Sequence, residues 1–204
     1  MIRLHFAPNT IAMAAMVALE EGDVHYAALQ LDFAKSDQQS TGYLAINPKG
    51  RVPSLETPQG TLTEVGAILE YIADTLVPAL KPMDAWHAAK MREMMFYLGS
   101  TMHVNHAHKF RGHRWANTQS AMEDMTSKVP ETMAASCAYV EDQIEGPLLF
   151  GSQPTIADCY LLPIATWLAG DGVDITDYPK LTTWFETISA RPSVQAVKTK
   201  SGWI

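Results

Sequence analysis

Hydrophobic and polar positions change period several times along the first half of the chain. Ile2, Leu4 and Phe6 alternate with Arg3 and His5, which predicts a half-buried strand. Pro8-Asn9-Thr10 breaks that pattern, and an apolar run from Ile11 to Leu19 predicts a helix with Asn9 or Thr10 as its N-cap and Gly22 at its end. His25–Asp32 reads as a second strand, with Tyr26 and Ala28 set against Leu29 and Leu31. Lys35–Thr41 is polar and turn-like, and Tyr43–Ile46 is a short helix ending near Asn47-Pro48. Ser54–Thr57 and Thr61–Thr63 form a hairpin around Pro58-Gln59-Gly60. Val65, Ile68, Leu69, Ile72 and Leu76 then fall on one face of a helix. This order, β-α-β-α-β-β-α, predicts a small mixed sheet with helices on its faces.

The rest of the chain changes character. Val77–Asp84 contains Pro78 and Pro82 and reads as a linker; the segments beyond it are helical. Ala85–Asn105 is the first of these. Asn117–Glu145 is the second, which Pro130 is expected to kink or interrupt. Thr155–Ala169, with Pro163 inside it, and Pro179–Ala190, stopped by Arg191-Pro192, complete the set. Thr155-x-x-Asp158 has the form of a capping box and marks a helix start rather than a site. Two domains are therefore expected, an α/β unit over 1–78 and an all-α unit over 85–204.

Composition narrows the function. A net charge of −7 argues against a nucleic-acid binder, which presents a basic surface. No run approaches the ~18 apolar residues of a membrane span. The start, MIRLHFAPNT, lacks a signal-peptide pattern. Cys137 and Cys159 have no CxxC partner and read as small buried hydrophobes on helices, which fits a reducing, cytoplasmic location.

Asn47–Ala73 carries most of the chemistry. An X-Pro step such as Val52-Pro53 is the common place for a cis peptide bond, and the residue before proline is pushed into an extended conformation. Val52 is thus expected to present its N–H and C=O outward, like the edge of an unpaired strand. Glu64, at a helix start, sits beside free backbone donors. Together they suit a peptide-like ligand carrying an amine and carboxylates.

Four segments give this pattern a family. LHFAPNT, YLAINPKGRVPSLET followed by LTEVGAILEYIA, GSQPTIADCYLLP and ARPSVQAV together resemble the cytosolic glutathione transferases over nearly the whole chain, and most closely the bacterial beta-like group. The resemblance implies a thioredoxin-like N-terminal domain followed by a C-terminal helical bundle, a homodimer, and glutathione as co-substrate with no metal. By the same resemblance, Val52 beside Pro53 pairs its backbone with the cysteinyl backbone of glutathione. Glu64 takes the γ-glutamyl amine, and the Val65 N–H holds the γ-glutamyl carboxylate. The family usually has Ser or Gly where this chain has Val65, so a side-chain hydroxyl contact is lost while the backbone donor remains. Lys35 and Arg51 are candidates for the glycyl carboxylate, with Lys49 behind them.

The thiol must also be activated. Lowering its pKa from ~8.5 by ~2 units takes about 2.7 kcal/mol, within reach of one hydrogen bond to the charged sulfur plus a helix N-terminus. The family uses Tyr, Ser or Cys there; this chain has Asn9, Thr10 and, at the beta-like Cys position, Ile11. Thr10 is the preferred donor, with Asn9 or a backbone N–H as alternatives, and both side chains are equally suited to capping the helix. FYLGSTMHVNHAHKFR resembles the beta-like segment whose histidine faces the thiol, which places His103 there as a donor to the thiolate or a general acid on the electrophile. A zinc site among His103, His106, His108 and His113 has no Cys or acidic ligand close in sequence. Met91, Met94, Met95 and Met102 read either as core and dimer contacts or as the wall of a deformable apolar pocket. The expected activity is conjugation of glutathione to a small hydrophobic electrophile. A glutathione-dependent disulfide or peroxide reductase and a non-catalytic binding protein are the alternatives.

Overall fold

The computed structural model describes residues 1–203. Ile2–Phe6 forms β1, Ala12–Glu21 α1, Tyr26–Gln30 β2, Thr41–Ile46 α2, Ser54–Thr57 β3, Gly60–Thr63 β4 and Val65–Thr75 α3. The four strands make one sheet in the order β2-β1-β3-β4. β1 runs parallel to β2, with Leu4 opposite Ala28, and antiparallel to β3, with Leu4 opposite Leu55. The β3–β4 hairpin pairs Leu55 with Leu62. This is the mixed sheet that the alternation predicts.

The helical half runs through α4 (Ala85–Tyr97), α5 (His103–Arg111), α6 (Gln119–Gln143), α7 (Ile156–Trp167), α8 (Pro179–Ser189) and α9 (Pro192–Ser201). Two expectations change here. The helix expected over Ala85–Asn105 continues to Arg111, through a wider turn at Leu98–Met102 that separates α4 from α5. Gly99 sits in that turn, where a Cβ would lie 2.9 Å from the Tyr160 hydroxyl. α6 runs on through Pro130: the buried face of Val129, Met133, Cys137 and Val140 outweighs one missing bond of about 3 kcal/mol. Arg191-Pro192 ends α8 as expected, and Pro192 then occupies the first turn of α9, where its missing N–H costs nothing.

α1 joins the two halves. Every residue from Ala12 to Leu19 is buried, because α1 packs on the sheet and α3 on one side and on α7 and α9 on the other. At its end the Glu21 carboxylate accepts from Arg191 Nε at 2.6 Å and Nη2 at 2.7 Å. Burial raises the Glu21 pKa, but the bonds from Arg191 and Ser193 and the Arg191 charge outweigh it and hold the carboxyl below its ordinary value. At the start of α7, the fully buried Asp158 accepts from the Thr155 N–H (2.7 Å), the Leu149 N–H (2.9 Å) and Trp184 Nε1 (2.8 Å), in the capping box expected there. Cys137 and Cys159 are buried and free. Among the described residues no helix is long and apolar enough to cross a membrane.

Candidate functional site

A cavity of about 650 Å³ opens between the sheet half and the helical half. Four pieces of chain build its walls: the loop from β1 into α1, the turn before β3, the start of α3, and the facing sides of α5 and α7.

The turn before β3 is held from behind. The Arg51 carbonyl accepts from the Tyr43 hydroxyl at 2.6 Å and from Asn47 Nδ2 at 2.7 Å, and the Tyr43 hydroxyl also meets Ser54 Oγ at 2.9 Å. The Val52–Pro53 peptide is cis. Val52 lines the cavity, and among the described residues its N–H and C=O bond to nothing. The exposed backbone edge expected at this step is present.

Beside it, Glu64 leads into α3 with φ +70°. Its carboxylate accepts from Lys49 Nζ at 2.5 Å, and Lys49 also donates to Thr63 Oγ1 at 2.6 Å. Val65 is the first residue of α3, so its N–H lies among the four that a helix leaves unpaired. Lys49, ranked behind Lys35 and Arg51 on sequence, lines the cavity together with Arg51. Lys35 does not: it is exposed on a short helical turn, where it pairs with Asp32 at 3.1 Å.

The β1–α1 loop supplies Asn9, Thr10 and Ile11. Asn9 adopts φ +57°, a conformation that asparagine tolerates better than most residues. The Thr10 hydroxyl donates to the Ala7 carbonyl at 2.7 Å and accepts from the Ala12 N–H at 3.3 Å. Thr10 therefore does serve the helix start, although Ile11 holds the N-cap position itself. A hydroxyl has one proton to give, and here it goes to Ala7. The Thr10 and Ile11 N–H groups have no partner among the described residues and are the uncommitted donors at the head of α1.

His103, the first residue of α5, faces this loop across the cavity. Its ring tilts against Trp167 at 5.4 Å and makes no hydrogen bond among the described residues. Burial, followed by the charges of His106, Arg111, Arg51 and Arg114, pushes its pKa down from 6.5 to about 4. At neutral pH it is an uncharged imidazole with one N–H to offer. His106 shares that face: it stacks on Trp167 at 4.2 Å and its Nδ1 meets Asp171 at 2.7 Å. Trp167 Nε1 in turn donates to the Asn9 carbonyl at 3.2 Å, which ties the end of α7 to the loop. Among the described residues no three His, Cys, Asp or Glu converge to hold a metal ion. Met91, Met94 and Met102 are buried in the core and do not line this cavity.

Tyr160, Trp167, Arg111 and Arg114 are among the lining residues that sequence alone does not mark. Tyr160 and Trp167 lie on α7, whose apolar pattern reads as core. Tyr160 is indeed buried, yet its hydroxyl finds no partner among the described residues, and burial with the Glu64 charge raises its pKa to about 12. Arg111 and Arg114 stand in a basic stretch just beyond His103. Burial comes first, then repulsion from Arg51, in lowering the pKa of both; for Arg114, Arg111 adds to it.

Two family models match the chain: glutathione S-transferase, N-terminal domain, over residues 1–74, and glutathione S-transferase, C-terminal domain, over residues 119–187. A glutathione transferase homolog from Sulfitobacter, solved with bound glutathione, superposes with a TM-score of 0.96 at 50% identity, covering 100% of this chain and 99% of that one. A bacterial beta class glutathione S-transferase from Sphingomonas chungbukensis superposes with a TM-score of 0.84 at 28% identity, covering 99% and 100%. Glutathione S-transferase GstA from Escherichia coli O157:H7 is 25% identical over 98% of this chain and 99% of its own length.

Proposed function

The chain belongs to the glutathione S-transferase family, and from that premise we propose that it binds glutathione in the cavity between its two halves and conjugates the thiolate to an apolar electrophile. The observation that carries the reading is the uncommitted Val52 backbone, set in one cavity with Glu64 and the start of α3.

A cysteinyl residue laid against Val52 exchanges two main-chain bonds with it, as an added strand does. Pro53 fixes the turn beside that edge. The γ-glutamyl amine goes to Glu64, displacing Lys49 from an exposed ion pair worth at most about 1 kcal/mol. The γ-glutamyl carboxylate goes to the Val65 N–H at the α3 terminus. Arg51, with Lys49 once freed, serves the glycyl carboxylate. This pose puts the sulfur at the head of α1.

There the Thr10 and Ile11 N–H groups hold the thiolate. Asn9 and the Thr10 hydroxyl shape the turn that aims them, and His103 donates its neutral N–H from the opposite wall. With an aryl chloride, the thiolate attacks the ring carbon and a C–S bond forms. The C–Cl bond then breaks, chloride leaves, and the thiol proton has already gone to solvent. The homodimer implied by the family and a cytoplasmic setting, where Cys137 and Cys159 stay reduced, belong to the same proposal.

The test is turnover of 1-chloro-2,4-dinitrobenzene with glutathione, beside a parallel assay on a glutathione mixed disulfide. Conjugation that weakens at least ~10-fold in glutathione KM on Glu64→Gln is the expected outcome, since a bond to a charged group is worth roughly 1.5–3 kcal/mol. Turnover of the disulfide alone moves the assignment to a reductase. Glutathione binding with neither turnover moves it to a non-catalytic binding protein.

A further inference from the structure

The chain has six arginines. Three pair with carboxylates: Arg3 with Glu56, Arg92 with Glu70 and Arg191 with Glu21. The other three, Arg51, Arg111 and Arg114, have no carboxylate within ion-pair distance among the described residues, and all three line the cavity. Acidic residues outnumber Lys and Arg by 22 to 15 in this chain, so acidic partners are plentiful and these three guanidiniums nevertheless go without. Glu64 is the one acidic residue on the cavity wall, and Lys49 holds it.

Glutathione does not use this charge up. Its γ-glutamyl carboxylate is directed to the start of α3 and its glycyl carboxylate to Arg51. Arg111, at the end of α5, and Arg114, just past it, lie on the helical half with Trp115, Val104 and Ala107, on the wall left for the second substrate. We propose that the second substrate is an electrophile with an apolar body and a carboxylate, the body lying on the Trp115–Val104–Ala107 surface and the carboxylate held by Arg111 and Arg114. The proposal rests on the glutathione reading of the cavity and adds the substrate class. Planar guanidiniums suit carboxylates because they offer paired N–H donors in a fixed fork.

The test compares 3,5-dinitrobenzoate with 3,5-dinitrobenzamide, probes of the same size that differ in charge and carry no leaving group. Each is titrated into glutathione-saturated protein by quenching of tryptophan fluorescence. The benzoate should bind ~10-fold or more tightly than the amide, and R111Q/R114Q should bring that ratio to about two or less. Arg114→Gln alone, at an exposed position outside the long helices, should lower the ratio part of the way and gives a readout should the double variant fold poorly. Equal binding of the two probes by the unmodified chain, or a preference that survives both substitutions, overturns the proposal. A separate glutathione titration scores the reading beneath it. Glutathione binding without benzoate preference sinks the substrate class alone, whereas benzoate preference without glutathione binding sinks the glutathione reading alone.

Discussion

Glu64 and His103 show how single residues are tuned by their surroundings. Glu64 enters α3 at φ +70°, a conformation that costs a non-glycine residue of order 1–3 kcal/mol and is kept where it aims a group. Glu64→Gly should therefore relieve strain and raise stability slightly while weakening glutathione binding ~10-fold or more, as read by unfolding and by calorimetric titration. His103 couples the site to pH. Its pKa falls from 6.5 to about 4 in the fold, so between those values the unfolded chain takes up a proton that the native chain excludes. Its contribution is whole above pH 6.5 and is lost as pH falls toward 4, by at most about 3 kcal/mol. Chemical denaturation of the parent chain and His103→Gln across that range should show the difference between them shrinking as the solution is acidified. At Thr10, the hydroxyl proton is spent on Ala7, so Thr10→Ala should cost conjugation less than ~10-fold and leave most of the thiol shift in place. A pKa that returned to the free-thiol value in this variant would make the hydroxyl the donor instead.

At the scale of elements, α7 and the α4–α5 turn position the site. Asp158 gathers three buried N–H donors from the Leu149, Thr155 and Trp184 positions. Asp158→Ala strands all three, at about 1–3 kcal/mol each, and should leave the chain unable to fold at growth temperature, as judged by soluble yield and far-UV dichroism. Gly99→Ala makes a gentler change. The alanine raises helix propensity by about 0.5–1 kcal/mol, but its Cβ would meet the Tyr160 hydroxyl at 2.9 Å. Stability should hold nearly level while glutathione KM rises, because the displaced groups belong to the cavity wall. The sheet, the hairpin and the Val52 edge were legible in the sequence because period-2 alternation and proline act locally. The wide turn at Leu98–Met102 was not, since no local pattern marks it and the close neighbour of Gly99 within it is a tyrosine some sixty residues away. Pro130 does not interrupt α6, because its local rule is outweighed by a long buried face.

At the scale of the molecule, the site exists because α1 fastens two differently built halves. Glu21 on α1 and Arg191 ahead of α9 lie 170 positions apart and meet at 2.6 Å. Arg191 is partly solvated, so Glu21→Gln should cost roughly 1–3 kcal/mol in urea unfolding, less than a fully buried pair would lose. The candidate residues of the sheet half could be read from sequence, apart from Lys35, which a neighbouring carboxylate takes up outside the cavity. Of the opposite wall only His103 could, by resemblance, because Tyr160, Trp167, Arg111 and Arg114 come together only once α5 and α7 fold against the cavity. The central claim is that this junction binds glutathione and stabilises its thiolate at the head of α1. Titrating the ultraviolet absorbance of the thiolate in the glutathione complex tests it most directly. The expected midpoint lies about 2 units below the ~8.5 of an ordinary cysteine thiol. A midpoint at that ordinary value, or no saturable binding, would contradict it.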